Sequence, residues 1–137
     1  MTDIIKASID EIDTVVKKVL TIFGKSGIIL LQGDLASGKT TFVKSFVKYL
    51  GIDEEVSSPT FSIMNIYADK VYHYDIYNDG TNKFIESGLL ENLEENGFHI
   101  IEWADEKLEN MLKEYGFNYI KIEIKPEGEK RVYKCTY

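Results

Sequence analysis

Eight consecutive residues, Gly33-Asp34-Leu35-Ala36-Ser37-Gly38-Lys39-Thr40, follow the spacing G-x-x-x-x-G-K-[ST] of a phosphate-binding loop. The chemistry on offer is anion capture. Glycines allow backbone torsions closed to other residues, successive N–H groups converge on phosphate oxygens, and a helix opening there adds the positive end of its dipole. Lys39 brings a full positive charge to the β- and γ-phosphates of a nucleotide, and the Thr40 hydroxyl is placed to ligate Mg²⁺. The contacts expected of such a loop run through Gly33, Asp34, Leu35, Ala36, Ser37, Gly38, Lys39, Thr40 and Thr41.

A loop of this kind works only between a strand and a helix, and the flanking residues supply both. Gly27-Ile28-Ile29-Leu30-Leu31 is a short apolar run suited to a buried strand, and Phe42, Val43, Phe46, Val47 and Leu50 recur at helical spacing. Gly51 stops that helix. Before the loop, Asp3 to Ala7 reads as a strand, and Ser8-Ile9-Asp10-Glu11 has the form of a capping box. The box opens a helix whose stripe is Ile9, Ile12, Val15 or Val16, Val19, Leu20 and Phe23, closed by Gly24.

After the loop helix, Ile52 to Pro59 reads as an acidic, exposed loop, and Pro59 holds Ser58 extended. Phe61 to Tyr67 and Lys70 to Tyr77 predict a hairpin about Ala68-Asp69. Val71, His73, Asp75 and Tyr77 share one face of its second strand, and the histidine and aspartate argue against a core role for that face. One or two short helices follow between Lys83 and Glu95. Phe98-His99-Ile100-Ile101 is the next buried strand, ending in Glu102-Trp103, and Ala104 to Tyr115 reads as helix with Leu108, Met111 and Leu112 inward. The chain closes on clean alternation over 119–125 and 131–135, an antiparallel hairpin with one wet face.

Phosphoryl transfer to water needs a cradle, a metal, a group to place the water and cover for developing charge. A carboxylate at the C-terminal end of an apolar strand is suited to metal, so Thr40 and Glu102 are the candidate Mg²⁺ pair. Asp75 is the candidate for positioning or deprotonating water; the alternative is a strand carboxylate paired with a lysine. His73 reads as a hydrogen-bonding structural residue, and Trp103 as packing that could flank a nucleotide. The catalytic set is therefore Lys39, Asp75 and Glu102.

Composition narrows the class. At 137 residues the chain has room for one domain, 1–137, and no apolar run approaches the roughly 18 residues of a membrane span. No basic flank precedes an apolar stretch at the start, and Cys135 stands alone, so no intrachain disulfide forms and a cytoplasmic setting is expected. The net charge of −7 argues against a chain that grips nucleic acid by itself. Of 16 basic residues all but Arg131 are lysine, so no arginine is evidently placed to cover transition-state charge.

Taken together, Gly33-Asp34-Leu35 with Gly38-Lys39-Thr40-Thr41-Phe42, then Ser58-Pro59-Thr60, His73-Tyr74-Asp75-Ile76-Tyr77 and Glu102-Trp103 resemble the TsaE family, over nearly the whole chain. These are small bacterial ATPases that work in making the threonylcarbamoyladenosine of tRNA. The resemblance implies an α/β, P-loop NTPase-like fold with a mixed central sheet flanked by helices, alongside the C-terminal antiparallel hairpin read from the alternation. It implies bound ATP with Mg²⁺, assembly with TsaB- and TsaD-type subunits, and contact with tRNA only through that complex. By the same resemblance Lys39 contacts phosphate, Thr40 and Glu102 serve the metal, Asp75 is the acid/base position and Thr60 lies beside the γ-phosphate.

Two positions depart from the family's pattern. Ala36-Ser37 stands where Gly-Ala is usual, so Ala36 must adopt torsions glycine takes more easily, and Asn78 replaces an arginine after the matched tyrosine. Two alternatives are weighed. A small-molecule kinase needs a lid whose arginines clamp the transferred group, which Arg131 alone does not supply. A nucleotide-sensing binding module without turnover differs from an ATPase by turnover itself. Slow hydrolysis by the isolated chain, stimulated by partners, is the expectation.

Overall fold

The computed structural model describes residues 1–34, 38–57, 64–77 and 80–137. Leu35, Ala36 and Ser37 of the loop, Ser58 to Thr60, the start of the hairpin at Phe61, and Asn78 lie outside the described residues.

Strand β1 (Thr2–Ala7) is followed by a 3-10 turn at Ile9–Glu11 and helix α1 (Asp13–Phe23). The Ser8 N–H donates to Glu11 Oε1 at 3.0 Å, the return half of the expected capping box. The box caps the 3-10 turn rather than α1, which leaves Ile9 62% exposed and outside the stripe assigned to it. Ile12, Val15, Val16 and Val19 carry the buried face. Strand β2 (Gly27–Gln32) leads to helix α2 (Lys39–Tyr49), whose Phe42, Val43, Phe46 and Val47 are buried. Phe46 meets Phe98 edge-on with ring centroids 5.0 Å apart, which seats α2 on the sheet and aims its first turn at the strand ends.

Strands β3 (Met64–Tyr67) and β4 (Val71–Asp75) form the predicted hairpin, and Ala68 and Asp69 both turn through the left-handed region. The short helices are α3 (Gly80–Glu86) and α4 (Leu89–Asn92). Strand β5 (Phe98–Glu102) is buried at every residue, and helix α5 (Glu106–Glu114) is capped by Asp105, which accepts from Leu108 N at 2.8 Å. The closing hairpin is β6 (Tyr119–Glu127) and β7 (Lys130–Thr136), longer than its alternation predicts because Pro126 and Glu127 still pair across it.

Among the described residues the strands form one mixed sheet in the order β1-β7-β6-β2-β5-β4-β3. The four inner strands β6, β2, β5 and β4 run parallel, and β3, β7 and β1 run against their neighbours. Helices α1 and α2 cover one face over a core that includes Ile29, Leu31, Phe42, Ile100, Ile122 and Val71. The opposite face packs Leu30, Ile101, Tyr74, Phe84, Leu108 and Leu112. No helix among the described residues is long and apolar enough to cross a membrane.

Two-sided cover corrects the expectation for β4. Its Val71 belongs to the α2-side core, and His73 on that face is fully buried. A buried imidazole is tolerated there because a carboxylate on β5 meets it, as the register dictates.

Candidate functional site

Parallel pairing sets Leu31, Glu102 and Asp75 side by side at the C-terminal ends of β2, β5 and β4. Two residues back, again paired with each other, lie Ile100 on β5 and His73 on β4. Residues in one row of a parallel sheet project to the same face, here the face on which α2 starts. That is why Thr40 and Glu102 meet: Thr40 Oγ1 lies 3.2 Å from each carboxylate oxygen of Glu102. The backbone at Glu102 is tied on both sides, its carbonyl accepting from Ile76 N at 3.2 Å and the next amide, Trp103 N, donating to Leu31 O at 3.1 Å.

His73 Nε2 forms a short hydrogen bond with Glu102 Oε2, both side chains being buried. Its other ring nitrogen, Nδ1, is buried with no hydrogen-bond partner among the described residues. Because Nε2 faces a carboxylate oxygen, which only accepts, it is the nitrogen that donates.

Lys39 is 4% exposed, and its Nζ donates to Gly33 O at 2.7 Å and Asp34 O at 2.8 Å. The ammonium also lies 4.0 Å from the centroid of the Trp103 indole. Burial pushes the Lys39 ammonium below the usual lysine range, against the raising effect of Glu102, Asp34 and Asp75. Trp103 itself takes a positive φ of 65°, a conformation that bulky residues rarely adopt, and it stacks at a tilt against Tyr77 at 4.7 Å. Strain of this kind collects at functional sites, and the turn at Trp103 is what brings an indole under the loop lysine.

Asp75 is half-buried. Burial raises its carboxyl above the usual aspartate range, the Glu102 charge adds to the rise, and the Tyr77 N–H at 3.2 Å, His73 and Lys39 oppose it. An open pocket of about 510 Å³ adjoins the start of the loop, lined by Gln32, Gly33, Asp34, Trp103, Asp105, Glu123 and Lys125 among others.

Gly33, Asp34, Gly38, Lys39, Thr40, Asp75 and Glu102 thus converge at one end of the sheet, with Thr41 in the first turn of α2. Leu35, Ala36, Ser37 and Thr60 lie outside the described residues. His73 is the hydrogen-bonding residue that its sequence suggests, and Glu102 is its partner. Sequence reasoning missed one neighbour. Arg131 carried no local signal at all: it lies on β7 yet packs against Gly38, where a Cβ would sit 2.9 Å from its Nε.

The Thr40 hydroxyl and the Glu102 carboxylate offer oxygen donors, the ligand type that hard divalent cations take.

Residues 6–133 match the sequence profile of the family described as "Threonylcarbamoyl adenosine biosynthesis protein TsaE". A protein of Treponema pallidum with the name "tRNA threonylcarbamoyladenosine biosynthesis protein TsaE" is 34% identical over 122 residues, 87% of each chain. One of the same name from Bacillus subtilis is 35% identical over 132 residues, 88% of this chain and 83% of that one. The crystal structure of Bacillus subtilis YdiB superposes with a TM-score of 0.67 at 30% identity, covering 98% of this chain and 86% of that one.

Proposed function

Because the chain belongs to the TsaE family, we propose that it is the ATP-binding and ATP-hydrolysing subunit of the machinery that makes threonylcarbamoyladenosine in tRNA. The observation that supports this best is the meeting of Thr40 and Glu102 within 3.2 Å beside the loop lysine, at the C-terminal ends of parallel strands. In this reading residues 1–137 act as one domain.

Lys39 leaves the carbonyls of Gly33 and Asp34 for the β- and γ-phosphates, exchanging two neutral acceptors for charged ones. Thr40 and Glu102 hold Mg²⁺, whose chemistry when bound is to neutralise charge on the phosphate oxygens. His73 fixes the Glu102 carboxylate through Nε2–H, so that its oxygens stay turned to Thr40. Asp75, with its affinity for a proton raised by burial, orients the attacking water and receives its proton. Trp103 lies against Lys39 and shields it from bulk water.

Turnover by the isolated chain is slow in this reading. The one arginine of the chain, Arg131, packs against Gly38, and the basic side chain of α2 that acts on Asp75 is Lys39. TsaB- and TsaD-type subunits complete the site in the cytoplasm, and tRNA is met through them, in keeping with a net charge of −7. ATP hydrolysis measured with and without those two subunits tests the proposal: slow release of phosphate alone and a marked rise in the complex are expected. Transfer of the γ-phosphate to a small molecule, or binding of ATP with no hydrolysis in either setting, overturns it.

A further inference from the structure

The loop is approached by a second cation, from the antiparallel side of the sheet. Strand β7 runs against β6, with Arg131 opposite Pro126, so its first residues lie at the end where the parallel strands finish. The side chain of Arg131 packs on Gly38, the residue before the first turn of α2. A Cβ there would stand 2.9 Å from Nε, 3.0 Å from Cζ and 3.2 Å from Cδ. Gly38 also has a φ of 100°, so both its torsion and its contact require glycine.

The surroundings of this guanidinium are unbalanced. Arg131 forms no ion pair among the described residues, and its Nε is buried without a hydrogen-bond partner among them. Glu127, close by on the hairpin, pairs with Lys6 instead at 3.1 Å. Burial raises the Tyr133 phenol above its usual range, and the Arg131 guanidinium beside it opposes that rise. A positive side chain therefore lies against the N-terminal end of α2, which is itself positive, with Lys39 in that helix's first turn. Such an arrangement is unfavourable in isolation and becomes favourable when an anion sits among the three.

Resting on the nucleotide reading above, we propose that Arg131 is a second phosphate-binding cation, gripping polyphosphate oxygens at the Gly38 end of the loop while Lys39 serves the Gly33 end. A planar, always-charged fork is suited to two phosphate oxygens at once, which an ammonium is not. The C-terminal hairpin is then part of the binding site.

Titration calorimetry of ATP and of inorganic tripolyphosphate into wild type, Lys39→Ala, Arg131→Gln and Arg131→Lys tests this. Arg131→Gln is expected to weaken both ligands by the same factor, roughly ten- to hundredfold, with the ligand-free melting temperature unchanged. Arg131→Lys is expected to recover part of the loss; if the Gln variant melts early, the Lys variant carries the test alone through a several-fold loss. Wild-type affinity in Arg131→Gln, with binding lost in Lys39→Ala, overturns this proposal and leaves the nucleotide site standing. Weakened ATP with unchanged tripolyphosphate overturns the phosphate assignment. A loss that tracks early melting in both Arg131 variants makes the residue structural and overturns it too. Failure of the wild type to bind ATP removes the nucleotide reading and this proposal together.

Discussion

The two sides of the sheet contribute to the site in different ways. On the β2–β5–β4 side, parallel strands all finish at one edge, so residues at strand ends fall into a row: Leu31, Glu102 and Asp75, with His73 behind. On the β6–β7–β1 side, strands reverse direction, and the same edge receives the end of β6 and the beginning of β7. The first side collects the carboxylates that the sequence singles out, Glu102 and Asp75, near Lys39. The second delivers one arginine whose place depends on how the hairpin is inserted next to β2. Parallel packing thus makes a site out of motif positions, whereas an antiparallel addition supplies residues that no motif announces.

The largest expected effect is on the parallel side. Lys39→Ala removes the ammonium now held by Gly33 and Asp34, and ATP affinity by calorimetry is expected to fall roughly a hundredfold or more. Unaltered binding would sink the division between a chemical and a scaffolding half.

Glu102→Ala comes next. It takes the carboxylate from Thr40 and leaves the buried Nε2–H of His73 without its acceptor. Turnover in the assembled complex is expected to drop on the order of a hundredfold and to lose its response to added Mg²⁺. The stability cost is smaller, about 1–3 kcal/mol for one unsatisfied buried donor. An unchanged rate under single-turnover conditions takes Glu102 out of the metal site.

Asp75→Asn separates chemistry from folding by pH. The carboxyl is raised above its ordinary value of 3.8 in the folded chain, chiefly by burial. Between that value and the raised one the folded state holds the extra proton, so Asp75 costs stability progressively as pH rises through this window. The asparagine variant should therefore melt slightly above wild type at neutral pH and equal to it at pH below 3.8, while hydrolysis in the complex falls. A variant less stable at neutral pH contradicts the burial account.

The smallest effect is placed on the other half. Lys6 on β1 and Glu127 on β6 form an exposed pair at 3.1 Å. Replacing both with alanine is expected to change folding stability within about 0.5 kcal/mol by urea denaturation and to leave turnover unaltered. A large loss of activity would show that the antiparallel side contributes more than Arg131.

Much of the architecture could be read in advance because it rests on local regularities. The strand–loop–helix unit, the Gly24 and Gly51 stops, the hairpin about Ala68-Asp69 and the closing alternation are short-range patterns, and each became the expected element. Ile9 failed because a capping box sets where the chain turns, not which kind of turn follows. Here the turn is a 3-10 one, and α1 begins at Asp13. The face of β4 failed because polarity argues for solvent only when no partner is in view. Glu102, 29 residues away, supplies the partner of His73.

By itself, then, the chain's order of residues determined the phosphate loop, the elements on either side of it, and the carboxylates at strand ends, since spacing and periodicity are properties of neighbouring residues. Only the tertiary structure decided that Glu102 closes on Thr40, that His73 is buried against it, that Trp103 turns through a positive φ to reach Lys39, and that Arg131 lies on Gly38. Those contacts depend on strand order and direction, and strand order is chosen by how distant apolar faces pack, which no local pattern records.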